Sequence, residues 1–254
     1  MTREEFDQLV NEGKQFFEKQ QYDLSLLKFE LALEKSYQLG SDKDALVVND
    51  YLGRIYDQLK DRDHAIQYYK NNLDLFEDMH DRKSLASTMN KIGQLYFLKG
   101  DMNSAMNYHM KSVEICKELD DKEGEAIALR NIGMIHTKLG NHVLALRAHT
   151  ASLDLKRKMG DRRGEALSLY YIGQSEADEG NFDEARDHLE QALDIFKNMG
   201  LKEDVKKVER ELEEVDAMED EYEEDMDLGS KLTRRADTKV TNKFRADDFI
   251  PRKR

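Results

Sequence analysis

Tryptophan is absent from this chain of 254 residues, and proline and cysteine each occur once. A single cysteine, Cys116, has no partner for an intramolecular disulfide and cannot build a thiolate zinc cage, which suits a reducing, cytoplasmic-type compartment. One proline and 14 glycines are too little turn punctuation for a β-sandwich or barrel. Long apolar runs are missing as well. Nothing approaches the roughly 18 residues that a membrane span requires, and the segment from Met1 to Phe6 is charged from Arg3 onward, so no membrane insertion is expected. What the chain does have is charge, 37% of residues against 39% hydrophobic. That polar but foldable mixture, with so few breakers, predicts an all-α protein of long helices and short loops.

The few glycines are placed with a strict period. Gly13, Gly53, Gly93, Gly133 and Gly173 follow one another at 40 residues, Gly100, Gly140 and Gly180 trail that series by seven, and Gly40, Gly160 and Gly200 close the unit. Gly124 and Gly164 sit in matching loops, which leaves Gly229 outside the pattern. The first series predicts close approach of a partner helix, where a Cβ would collide. The second and third predict helix ends in the left-handed conformation. Between the glycines the apolar spacing is helical: Leu52 and Tyr56 share one face, while Ala65, Tyr69, Leu73 and Phe76 share another. Each unit therefore reads as a helical hairpin. The connections at Asp61, Asp101, Asn141 and Asn181 supply a helix-starting Asp or Asn before the second helix.

Four stretches carry a more specific signature: Tyr51-Leu-Gly-Arg-Ile-Tyr56, Lys91-Ile-Gly-Gln-Leu-Tyr96, Asn131-Ile-Gly-Met-Ile-His136 and Tyr171-Ile-Gly-Gln-Ser-Glu176. A small residue follows at Ser25, Ala65, Ala105, Ala145 or Ala185, and an aromatic slot holds Phe29, Tyr69, His109, His149 or Leu189. These motifs resemble the tetratricopeptide repeat. The resemblance covers about four fifths of the chain, in five units at about 6–45, 46–85, 86–125, 126–165 and 166–205. It implies a right-handed α-solenoid of five helical hairpins, with peptide binding on the first helix of each. The 40-residue period exceeds the common 34, and no proline closes a second helix. Such extended repeats are similar to those of Pins-type adaptors and kinesin light chains.

Beyond the fifth unit Val205, Val208, Leu212, Val215, Met218 and Tyr222 recur at three- and four-residue steps. This predicts a capping helix over 206–225 that turns an apolar face to the last repeat and a polar face outward. A short coiled coil that dimerises the chain is the alternative. The cap is the reading adopted, and with it a monomer, because three heptads of this composition make a marginal coiled coil. Charge then segregates: Glu211 to Asp227 holds eleven acids and no base, whereas Leu228 to Arg254 holds nine bases and three acids. The stretch 226–254 lacks periodicity and holds Pro251, and is read as a disordered basic tail. It admits three readings: a solvated terminus, a short linear motif for a partner or nuclear import, or an intramolecular ligand for the acidic segment or the groove.

No catalytic constellation emerges, because the polar residues repeat the helical register instead of converging. His109 and His149 fill the aromatic slot and His136 the tyrosine slot, so packing accounts for them. Cys116 falls at the position of Phe76 and Phe196 and reads as a small buried apolar residue. Neither glycine series contains Gly-Lys-Ser/Thr, and the repeat region is net acidic, which argues against nucleotide and nucleic-acid binding. Cofactor and metal are therefore expected to be none. What is left is the groove that the resemblance implies. In register it presents Lys14, Asp50, Arg54, Asn90, Gln94, Arg130, Asn131, Tyr170 and Gln174, mixed polar groups suited to an extended or helical peptide held by hydrogen bonds and ion pairs. The two-carboxylate clamp of the co-chaperone subfamily is not reproduced: Val10, Lys14, Asp50, Arg54, Leu167 and Tyr171 occupy positions where its pattern differs. The resulting expectation is a non-enzymatic adaptor for a protein partner. A docking subunit of a large cytoskeletal, ciliary or secretion assembly, and a peptide-sensing regulator, are the alternatives.

Overall fold

Every twenty residues the backbone turns through the left-handed region, at Gln20, Gly40, Lys60, His80, Gly100, Asp120, Gly140, Gly160, Gly180 and Gly200. The computed structural model describes residues 2–241, with side chains as far as Glu224. The turns separate eleven helices: α1 (Arg3–Glu18), α2 (Tyr22–Gln38), α3 (Asp42–Gln58), α4 (Arg62–Asp78), α5 (Arg82–Lys99), α6 (Met102–Glu118), α7 (Lys122–Lys138), α8 (His142–Met159), α9 (Arg162–Asp178), α10 (Phe182–Asn198) and α11 (Lys202–Thr241). No strand occurs among the described residues.

Each turn follows one chemistry. At the end of α3 the Lys60 amide donates to the Asp57 carbonyl and the Asp61 amide donates back to Tyr56 at 2.9 Å, which satisfies carbonyls that the helix end would orphan. The next residue then starts a helix. Asp61, Asp81, Asp101, Asp121 and Asp161 each accept a hydrogen bond from the backbone amide three residues on. Asn141 and Asn181 also start helices, as predicted, but make no side-chain cap bond. Nor were the non-glycine turn residues foreseen. Gln20, Lys60, His80 and Asp120 take the left-handed φ that glycine takes elsewhere in the series, because the turn is imposed by packing on both sides and not by the residue alone.

Within a hairpin the two helices close over the first glycine series. A Cβ at Gly53 would stand 2.9 Å from the Tyr69 ring, and one at Gly93 would stand 2.8 Å from the His109 ring. The slot residue thus packs directly onto bare backbone sixteen residues before it. Phe29, His149 and Leu189 fill the same slot with no exposed surface. Asn72, Ser112 and Ser152, at one register position of α4, α6 and α8, donate to the carbonyls of Leu46, Ala86 and Ala126 on the paired first helix.

Hairpins stack so that each helix packs on its sequence neighbours, and the first helices also touch one another, α5 on α7, α7 on α9 and α9 on α11. A row of helices that draws together in this way forms the inner side of the stack. The chain is an all-α solenoid. α11 continues the row as a sixth first helix, with Val208 and Val215 each 1% exposed against the core of the fifth hairpin. It starts at Lys202, earlier than the cap predicted at 206–225, and its buried face fades by Met218, which is 39% exposed. The predicted disordered tail at 226–254 also differs over its first part, since the α11 backbone is helical to Thr241. Extending an existing helix is cheap, which favours this. The rest of that prediction, 242–254, lies outside the described residues.

Candidate peptide-binding groove

Side chains on the inner row recur every 40 residues in space as they do in sequence, and between them three hollows adjoin. One of about 340 Å³ lies between α3 and α5, bordered by Asp50, Arg54, Asp57, Lys91 and Gln94. A second, of about 310 Å³, lies between α5 and α7, bordered by Asn90, Lys91, Gln94, Asp121 and Asn131, with Cys116 in its wall. The third, about 160 Å³, joins Gln94, Arg130 and Asn131 to Tyr171 of α9. Gln94 stands among all three, and the row they form is the candidate trough.

The predicted residues divide accordingly. Asp50, Arg54, Asn90, Gln94, Arg130 and Asn131 come together along the trough, while Lys14, Tyr170 and Gln174 border none of its hollows. Asp50 accepts from Lys91 Nζ at 2.7 Å and stands 4.0 Å from Arg54. The Arg54 guanidinium lies over the rings of Phe17 and Tyr51, at 4.8 and 5.1 Å, a cation–π arrangement that holds it at one end of the trough. Asn90 is 8% exposed and its Oδ1 is 2.8 Å from His109 Nδ1, so it serves the core more than the surface. Lys14 sits 5.6 Å from the Tyr51 ring.

Tyr170 and Gln174 are engaged within the chain. The Tyr170 hydroxyl donates to Glu211 Oε2 at 2.6 Å, and Gln174 Nε2 donates to the same oxygen at 2.7 Å. Burial, with the Glu211 hydrogen bond and charge beside it, pushes the Tyr170 phenol far up and keeps it a donor. Register alone places both in the groove, because it does not show which acid of the next helix stands opposite them. Glu211 arrives there because α11 keeps the first-helix register.

Arg130 differs from the other cations of the trough. It is half-buried, its Nε is buried without a hydrogen-bond partner, and it makes no ion pair among the described residues. The two buried histidines beside it are uncharged at neutral pH. Burial first, and the Arg130 charge second, lower His109 and His149 to about 4. The Cys116 thiol is buried and pushed up by that burial, which makes it a poor nucleophile.

Lys91 and Tyr171 also border the trough, although register alone does not assign them to it. Both open the repeat motif, the register position that Asn131 holds in the fourth repeat. A signal was present: Asp50 with Lys91, Arg163 with Asp204, Arg3 with Asp44 and Tyr170 with Glu211 all pair across 41 residues. Opposite charges at one period plus one mark Asp50 with Lys91, but do not mark Tyr171. Among the described residues no group of His, Cys, Asp and Glu is placed to hold a metal ion, and no helix is long and apolar enough to cross a membrane.

Residues 44–118, 84–158 and 124–198 each match the tetratricopeptide repeat. The chain belongs to the tetratricopeptide-repeat family. Solved structures agree in fold. The apo form of RapI superposes with a TM-score of 0.74 at 16% identity, over 80% of this chain and 74% of that one. BtubC (BKLC) from P. vanneervenii gives 0.68 at 16% identity, over 76% and 80%. A putative kinesin light chain with nearly identical repeats from Podosopora anserina gives 0.65 at 13% identity, over 79% and 99%. At such identities the likeness is one of fold. A comparison with curated protein sequences finds no match. The tetratricopeptide-repeat fold is a protein-interaction scaffold, and the family is generally non-enzymatic.

Proposed function

We propose that this protein is a non-enzymatic, monomeric, cytoplasmic adaptor that holds an extended or helical segment of a partner protein in the trough along α3, α5 and α7. The observation that carries this reading is the row of three hollows that share Gln94 as a border, lined by polar groups that repeat along the row. A stacked scaffold of this kind is already ordered, so the entropic cost of binding falls mainly on the partner's segment. The test is affinity capture from native lysate with the full-length chain, an Arg54→Glu/Arg130→Glu variant of unchanged helicity, and a 1–227 truncation. A partner lost with the double variant and kept by the truncation is the expected result. A partner kept by the double variant and lost on truncation overturns the groove reading. It would favour a second one, in which the basic segment 228–254 docks the chain onto a larger assembly.

A further inference from the structure

We propose that the hollow at Arg130 is an anchor pocket for an acidic side chain, Asp or Glu, of the bound segment. The proposal rests on the groove reading and deepens it. Charge distinguishes this hollow from its neighbours. Asp50 and Asp57 border the one between α3 and α5, and Asp121 and Glu123 border the next, whereas no carboxylate borders the hollow at Arg130. An anion entering the trough therefore meets its least repulsion here.

Hydrogen bonding points the same way. Gln94, Arg130 and Asn131 converge on this hollow, and among the described residues none of the three side chains has a hydrogen-bond or ion-pair partner. Burying part of a guanidinium without a partner costs free energy, which a carboxylate recovers by accepting from the arginine fork. His109, 1% exposed, closes the floor as an uncharged ring, so the positive charge at the floor belongs to Arg130. The walls are apolar, built by Phe97, Leu98, Met134 and Tyr171. A poorly solvated wall strengthens an ion pair and offers contact to an apolar neighbour of the acid. Past Tyr171 stands one further cation, near the Glu211 carboxylate that Tyr170 and Gln174 bind. Lys207 of α11 lies 4.3 Å from the Tyr170 ring and 5.6 Å from the Tyr171 ring, without an ion pair among the described residues. At about 160 Å³ the hollow admits a side chain but not a helix, which is about 10 Å across. Because the trough runs on from it toward α3, the acid is assigned to a side chain along the segment and not to a chain terminus.

The experiment selects random peptides of about twelve residues, displayed with free C-termini, on the full chain. Enriched peptides are then measured by calorimetry against wild type and against Arg130→Gln, Arg130→Lys, Arg54→Glu and Gln94→Trp, each verified for helicity. The expected result is a shared Asp or Glu beside an apolar residue. Changing that acid to its amide weakens binding to wild type about tenfold or more and changes binding to Arg130→Gln by less than about twofold. Arg130→Lys falls between, having the charge without the fork. Amidating the peptide's C-terminus has no effect. Peptides that lose affinity with Arg54→Glu or Gln94→Trp but bind Arg130→Gln as wild type, or that depend on a free C-terminus, overturn the anchor pocket and leave the groove reading standing. Peptides indifferent to all four variants, or no enrichment at all, overturn the groove reading and the pocket with it.

Discussion

His149 has no exposed surface, and both its ring nitrogens lack a hydrogen-bond partner among the described residues. Its ring stacks on Tyr171 at 5.2 Å and 15°. The corresponding pair in the first hairpin is Phe29 on Tyr51, at 4.7 Å and 11°, so the slot itself accommodates a phenyl ring. His149→Phe is therefore expected to raise stability at neutral pH by about 1–2 kcal/mol, since it removes two buried unsatisfied atoms and keeps the stack. The pH dependence follows from the titration. His149 and His109 are held at about 4 in the folded chain against an ordinary 6.5. Between those values the unfolded chain binds more protons, so their contribution is intact above about pH 6.5 and is lost as pH falls toward 4. Thermal midpoints taken across that range should fall less steeply for His149→Phe than for wild type. An unchanged slope would refute the assignment of a buried neutral imidazole.

At the scale of elements, the left-handed helix ends provide the next test. Lys60 and His80 hold φ of 64° and 56° at positions where Gly40, Gly100 and Gly140 sit, and an L side chain in that region costs about 1–2 kcal/mol. Glycine's greater unfolded-state freedom offsets part of the gain. Lys60→Gly and His80→Gly are each expected to stabilise by about 0.5–1 kcal/mol, read as a higher denaturant midpoint at unchanged slope. Destabilisation by either would show that its side chain contributes more than its strain costs. Helix ends were legible wherever they fell on glycine. They were not legible at Gln20, Lys60, His80 and Asp120, because any residue can be driven into this conformation when the packed helices on either side fix the turn. Asn141 and Asn181 start their helices as residue type suggests, though without a side-chain cap bond.

Across the whole molecule, stability is close to a sum of hairpins and their interfaces, so damage at one end should remain local. Val208 and Val215 join α11 to the fifth hairpin. Placing charge there with Val208→Asp/Val215→Asp is expected to abolish amide protection in α10 and α11 and weaken it in α9. Exchange in α1 to α4 should stay as in wild type. Uniform loss of protection, measured by hydrogen exchange with mass spectrometry, would mean that the solenoid unfolds as one unit instead.

The hairpins, their period, the glycine contacts and the slots for Phe29, Tyr69 and His109 could all be read from residue spacing. Helical pitch is local, so spacing tells which face a residue occupies. Which polar residues are free to bind could not be read that way. Asn90 and Asn131 are the same residue type on successive first helices, yet one is tied to His109 while the other borders the open hollows. Tyr170 and Gln174 share the inner row with Arg130, but Glu211 of α11 satisfies the first two and nothing among the described residues satisfies the third. A side chain's freedom depends on what another repeat brings within about 3 Å of it. That neighbour is set by how the hairpins stack, which is why the tertiary structure, and not the periodicity, selects the binding residues.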